Sequence, residues 1–219
     1  ARRIPGTHLA AYGHGDWNDS LQPADLALRE RLCSAWTVTL HHQMLTSLGQ
    51  AFERVGHPER AQALGEEAER VRTDFQRLLV VDGVVAGYAL FDQGHEPPEL
   101  LLHPRDRRTG LHHSLLPMMH AVLEDLLEPA QALAQIEYIR RHLLAPDGAR
   151  LFDAPLAYRG GPQRLFQRAE SSSYFGREIG VMYVHAHLRW AQTLAHVGDG
   201  AAFLDALARV NPIGLQTLV

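Results

Sequence analysis

Two short stretches of this 219-residue chain gather side chains that could do chemistry. The first is AYGHGDWNDSLQP, residues 11–23, where Asp16 and Asp19 flank Trp17 and Asn18 in a glycine-punctuated run with almost no apolar anchor. A carboxyl group in such a loop can give up a proton while its neighbour holds hydroxyls, and an indole offers a face on which the C–H side of a sugar can stack. The plainer alternative is a helix start, with Asp19 or Ser20 as the cap. The second stretch is FGREIGVMYVHAH, residues 175–187. Glu178 and His185 stand seven residues apart, which on a helix is two turns along one face. Arg177, Glu178 and His185 at a helix start behind a glycine suit an anion or a polyol.

Other chemistries find little support. His185 and His187, two apart on a helix, point to different sides; His41–His42 and His112–His113 fail similarly, and with one cysteine there is no zinc cluster, so no metal is expected. Gly-x-Ser-x-Gly is missing, which removes the usual signature of a serine hydrolase. Cys33 reads as a packing residue inside an amphipathic helix, not a nucleophile. A net charge of −4 and a pI near 6.4 give no basic surplus for nucleic acid or an anionic membrane. No apolar run approaches the roughly 18–20 residues that span a bilayer, and no signal-peptide pattern opens the sequence, so a cytoplasmic setting is expected.

The elements that must carry these stretches read as helices joined by alternately short and long loops. Apolar residues at three- and four-residue steps predict a long helix over 24–55, begun by Pro23 and stopped by Gly56. Pro58 opens a second, over 58–79, with a charged outer face. The β-branched run at 80–91 is split by Asp82-Gly83 and predicts a hairpin. A polar loop follows, then helices over 116–127 and 129–144, each with a proline in its first turn. A long loop rich in glycine, proline, arginine and aromatics spans 145–176, of a length that usually carries function. Helices over 177–197 and 201–210 complete the chain. The expected class is all-α, built from antiparallel helix pairs with a small β-hairpin insertion at about 80–92, the long loops gathered on one side of a cleft.

Taken together the two stretches resemble glycoside hydrolase family 94, the inverting β-glucoside phosphorylases and the related domain of cyclic β-1,2-glucan synthases. GHGDWNDSLQP is similar to that family's Asp-Trp-Asn-Asp motif. The segment from FGREIG through VHAHLRW to the Asn-Pro-Ile block at 211–213 resembles its Arg-Glu segment in order, and HLLAPDGARLFDAPLAYRGG resembles the block between. DWNDSLQP and ESSSYFGREIG look most like the branch acting on β-1,2-linked oligoglucans. The resemblance implies an (α/α)6 toroid, of which residues 1–219 would form roughly the C-terminal half, with further segments before and after. It implies Asp19 as general acid, Asp16 and Trp17 holding the sugar at the cleaved side, Arg177 and Glu178 binding substrate, and His185 binding phosphate. No cofactor is implied; inorganic phosphate is a co-substrate, and the other partners are β-glucan oligosaccharides and glucose 1-phosphate. As a proton donor Asp19 is expected to have a raised pKa, from burial and from Asp16 or phosphate nearby. Where the family has Asn-Gly-Gly and Thr, this chain has Ile179-Gly180-Val181 and Val184. An open half-toroid would expose an apolar flank, so self-association or pairing with missing parts of its own polypeptide is expected, and such a fragment is expected to be inactive alone. The remaining alternatives are the phosphorylase-like domain of a cyclic glucan synthase and a silent carbohydrate-binding domain.

Overall fold

In the computed structural model, which describes residues 2–92, 95–160 and 165–211, the chain is mostly helical, with seven α-helices and seven short strands among the described residues. The elements are β1 (Leu32–Ser34), α1 (Ala35–Arg54), α2 (Pro58–Leu79), β2 (Val80–Val81), β3 (Val84–Val85), β4 (Tyr88–Asp92) and β5 (His95–Leu101). Then come α3 (Leu115–Leu123), α4 (Pro129–His142), β6 (Leu144–Ala145), β7 (Gly148–Ala149), α5 (Ala169–Tyr174), α6 (Val184–His196) and α7 (Gly200–Val210). Consecutive helices pack in pairs, α1 on α2, α3 on α4 and α6 on α7, and α3 also touches α1 and α6. Every residue of α3 from Leu115 to Val122 is buried, as a helix walled in by its neighbours requires.

Local signals hold where they are strong. Pro58 and Pro129 stand at the starts of α2 and α4, where a missing N–H costs nothing. Asp82 and Gly83 both take positive φ, 52° and 74°, the turn that matches the twist of a two-residue hairpin between β2 and β3.

Four expectations are corrected. The helix expected over 24–55 begins only at Ala35, where Ser34 caps it by accepting the Thr37 N–H. Residues Asp19–Leu21 and Leu26–Glu30 are 3-10 turns, and Cys33 lies in β1, not in a helix. Leu28 and Leu32 sit at helical spacing from Trp36, but Leu32 pairs with Leu90 across β4, and a three-residue strand has no period of its own to read. The β structure also exceeds one hairpin: β4 is the centre of a three-stranded antiparallel sheet in the order β1-β4-β5. β5 comes from the stretch read as a polar loop. Its two prolines are tolerated because β5 is an edge, and Pro97 to Leu100 alternate exposed and buried as a strand does. Within 145–176, β6 pairs with β7, and α5 follows. Finally, the helix expected from 177 starts at Val184, so Glu178 and His185 do not share a helical face. Gly180 breaks the run at φ +81°, and a Cβ there would sit 3.1 Å from the Pro155 Cβ. Of the Asn-Pro-Ile block, 212–213 lie outside the described residues.

Two polar groups, the half-buried Asp153 and the buried His120, are expected to make the stability of the fold depend on pH. Asp153 accepts the backbone N–H groups of His112 and His113 at 3.0 Å each and lies 3.4 Å from both their rings. Burial pushes its carboxyl up, but the His113 ring and the two N–H donors prevail and hold it down at about 2. A depressed carboxyl stabilises the fold above its unfolded pKa and loses that contribution as pH falls from about 4 towards 2. Asp153→Asn is therefore expected to cost about 2 kcal/mol at pH 7 in urea melts, with the gap closing as pH falls through that window. His120 is the opposite case: it is buried, neither ring nitrogen has a partner, and its ring stands edge-on to Trp36 at 4.3 Å. Burial, helped by Arg189, lowers it to about 4. The unfolded chain takes that proton first, so stability falls as pH drops from 6.5 to about 4. His120→Leu is expected to remove this slope and to gain about 1–2 kcal/mol at pH 5.

Candidate active site

The loop carrying Asp16 to Asp19 is held from both ends by backbone. The Tyr12 and Gly13 N–H groups bond the carbonyls of Leu32 and Arg29, and the Ala24 N–H bonds Leu165 O. The far end is also laced to the segment before α5 by the Gln167 N–H on Gln22 O and by a bridge between Pro23 and Phe166. Within the loop, Asn18 is buried and accepts the Ser20 N–H, closing the 3-10 turn that presents Asp19.

Glu178 is the anchor beneath that turn. It is buried, and its Oε2 accepts both the Ser20 N–H, at 2.9 Å, and the Ser20 hydroxyl. Ser20 Oγ also lies 2.7 Å from Ser172 Oγ of α5, and the Arg177 N–H bonds Ser172 O. The two chemistry-bearing stretches are thus locked together through Ser20, Ser172 and Glu178. Above this buried layer Asp19 and Arg177 are each about half exposed, 49% and 54%, with Arg177 Nη2 3.5 Å from Asp19 Oδ2. Gln22 Nε2 donates to the other Asp19 oxygen at 3.3 Å. Arg177 Nε lies 3.8 Å from Glu178 Oε1, the Glu178 oxygen that Ser20 leaves available.

Trp17 joins the loop to α6. Its ring packs against His185 at 5.0 Å and Tyr183 at 6.1 Å, while 43% of it stays exposed. His185 is exposed in the first turn of α6, a helix end with no side-chain cap, where free N–H groups and the helix dipole favour an anion. His187, one position beyond the buried Ala186, faces the other way. It is fully buried, its Nδ1 accepts the Ala149 N–H and its Nε2 meets Ala206 O, so it braces β7 against α7.

Burial falls on a different carboxyl from the one expected. Half of Asp19 is open to solvent, whereas Asp16 is turned inward. Asp16 Oδ1 accepts the Asn18 N–H, and Oδ2 meets the Ser34 hydroxyl and, at 3.5 Å, the Tyr88 hydroxyl. Burial pushes Asp16 up from the usual carboxylate range, against the pull of those hydrogen bonds. Tyr88 and Tyr12 are pushed up by burial and by Asp16 beside them. Ser34 therefore does two jobs, capping α1 and holding Asp16. Burial also raises the Cys33 thiol, in keeping with a packing residue.

All six residues singled out in the sequence are accounted for. Asp19, Trp17, Arg177 and His185 line the surface, and Asp16 and Glu178 stand behind it. Ser172, Ser34 and Tyr183 were not anticipated, and Ser20 was read only as a possible helix cap; the adjacency of Ser20 to Asp19, of Tyr183 to His185, and the serine run before Arg177 were the only hints at their place in the site. Among the described residues no group of three or more His, Cys, Asp or Glu could hold a metal ion, and no helix is long and apolar enough to cross a membrane.

The fold and site define a mostly helical domain whose candidate site sets a half-exposed carboxylate and guanidinium beside an exposed indole and an uncapped helix end. No protein-family model matches the chain. It is 40% identical over 220 residues to a 1,2-beta-oligoglucan phosphorylase of Listeria innocua serovar 6a, a similarity that takes in all of this chain and 20% of that protein. The chain therefore spans about one fifth of the length of that curated relative.

Proposed function

We propose that this chain is part of the catalytic domain of an inverting phosphorylase of glycoside hydrolase family 94, acting on β-linked glucose oligosaccharides, β-1,2-linked in first place, and contributing to an (α/α)6 toroid. The observation that carries the reading is the union of the two stretches: Glu178 holds the turn of Asp19, Arg177 faces Asp19, and Trp17 packs on His185. The name of the relative supports it. On this reading Asp19 gives its proton to the departing glycosidic oxygen. Phosphate, held by His185 and the first turn of α6, attacks the anomeric carbon from the opposite face. The C–O bond to the rest of the glucan breaks, a C–O bond to phosphate forms, and the product is α-glucose 1-phosphate. An inverting hydrolase needs a second carboxylate to activate water; phosphate is already a nucleophile at neutral pH, so one acid suffices.

Trp17 stacks on the sugar at the cleaved side. Asp16, with both oxygens engaged inside the protein, serves that sugar by fixing the loop. Glu178 Oε1 and Arg177 take sugar hydroxyls. Because the chain covers one fifth of the relative, the remaining phosphate contacts come from elsewhere in a longer polypeptide, and the 219 residues alone are inactive. Leu40, Met44 and Leu48, exposed at four-residue steps along α1, are then a seam for missing helices or for a second copy. The test is phosphate release from α-glucose 1-phosphate by the longer polypeptide, offered glucose and β-linked gluco-oligosaccharides. Release with β-1,2-linked acceptors is the expected result, and no release with any acceptor refutes the proposal.

A further inference from the structure

Beyond the site itself, three large rings lie open to solvent immediately before it. Tyr158, Tyr174 and Phe175 are 57%, 67% and 77% exposed and touch in series, with ring centroids 5.2 Å and 5.1 Å apart. Folded chains do not usually leave such rings together in water without a use for them. They are also not placed at random. Phe175 stands two residues before Arg177, which faces Asp19. Tyr174 is one helical turn beyond Glu170 on α5, so the two share a face, while Ala169 and Ser172 turn inward. The Arg159 N–H donates to Glu170 Oε2, which lays Tyr158 and Arg159 alongside that face. Arg159 and Glu170 in turn line a pocket of about 520 Å³. The exposed rings thus adjoin charged hydrogen-bonding groups on one side, and along the chain they lead directly into Arg177 of the candidate site. Rings for C–H faces and charged groups for hydroxyls are the recognition chemistry of a neutral oligosaccharide.

Resting on the function proposed above, we propose that Tyr158, Tyr174 and Phe175, with Arg159 and Glu170, form an extended track for the glucan chain on the leaving-group side of Asp19. Asp19 protonates the oxygen that stays with the departing chain, so that chain lies on its side of the cleaved bond. Arg177 faces Asp19, and Phe175 stands two residues before Arg177 in the chain. The track selects for length: a disaccharide reaches only the site, whereas a longer oligomer also covers the rings.

Calorimetric titration of the longer polypeptide with β-1,2-linked gluco-oligosaccharides of two and six units tests this, alongside the double variant Tyr174→Ala, Phe175→Ala and the single variant Tyr158→Ala. The hexamer is expected to bind about tenfold more tightly than the dimer, and the double variant to lose that advantage while its dimer affinity is unchanged. A hexamer advantage that survives the double substitution overturns the track and leaves the site standing, as does equal binding of dimer and hexamer by the unaltered polypeptide. Equal loss of both oligomers in the variants marks a structural effect and also overturns it. A variant that changes only the sedimentation of the polypeptide makes the rings a protein interface instead. Failure of the unaltered polypeptide to bind either oligomer overturns the underlying site.

Discussion

Asp19→Asn in the longer polypeptide is expected to lower phosphorolysis by about 10²–10⁴-fold, the usual range for loss of a positioned general acid. The amide is the same shape as the carboxyl and can still accept from Gln22, so the loop held by Asn18, Ser20 and Glu178 keeps its form. The loss should therefore appear in kcat, with KM for the glucan close to unchanged. A second substrate makes the assignment specific. An aryl β-glucoside whose phenolate leaves without a proton does not need the acid, so on it the variant should retain most of the rate. Equal loss on both substrates would make Asp19 a binding group, and no loss on the oligosaccharide would remove it from the mechanism.

Glu178→Ala is expected to damage stability and catalysis together. It removes one of two acceptors from the buried Ser20 N–H, which keeps Asn18 Oδ1, and leaves the Ser20 hydroxyl on Ser172 alone, so the two lost hydrogen bonds cost about 1–3 kcal/mol together. Ser20 adjoins Asp19, so the turn that aims the acid loosens, and a misplacement of about 1 Å can cost on the order of 10²-fold in rate. Glu178→Gln retains a carbonyl acceptor for Ser20 and should recover most of the stability, and with it part of kcat. Urea melts of the three chains, and steady-state rates of the same substitutions in the longer polypeptide, separate the outcomes. If the alanine variant melts and turns over like the parent, Ser20 does not depend on Glu178. If glutamine restores stability without any rate, Glu178 also acts on the substrate directly.

Much of the helical framework was legible in the sequence because its signals act within a few residues. A proline at the first turn starts α2 and α4, Asp82-Gly83 turns the chain between β2 and β3, and apolar residues at three- and four-residue steps mark α1. The candidate site was legible as two stretches, since carboxylates, an indole, an arginine and a histidine crowd together where no core requires them. The sequence alone therefore determined which residue types are available, most of the helices, and the two ends of the site. Tertiary structure decided the rest. β1 and β5 exist because β4 lies between them, and a three-residue strand or a proline-bearing edge shows no strand signal until its partner is present. The start of α6 was decided by Gly180 packing on Pro155, far away in the chain. Which carboxyl is buried was decided by Ser34 and Tyr88, which enclose Asp16 and leave Asp19 half open. Burial and hydrogen bonding are properties of what surrounds a group, and here the deciding neighbours, Ser34 and Tyr88, come from other parts of the chain.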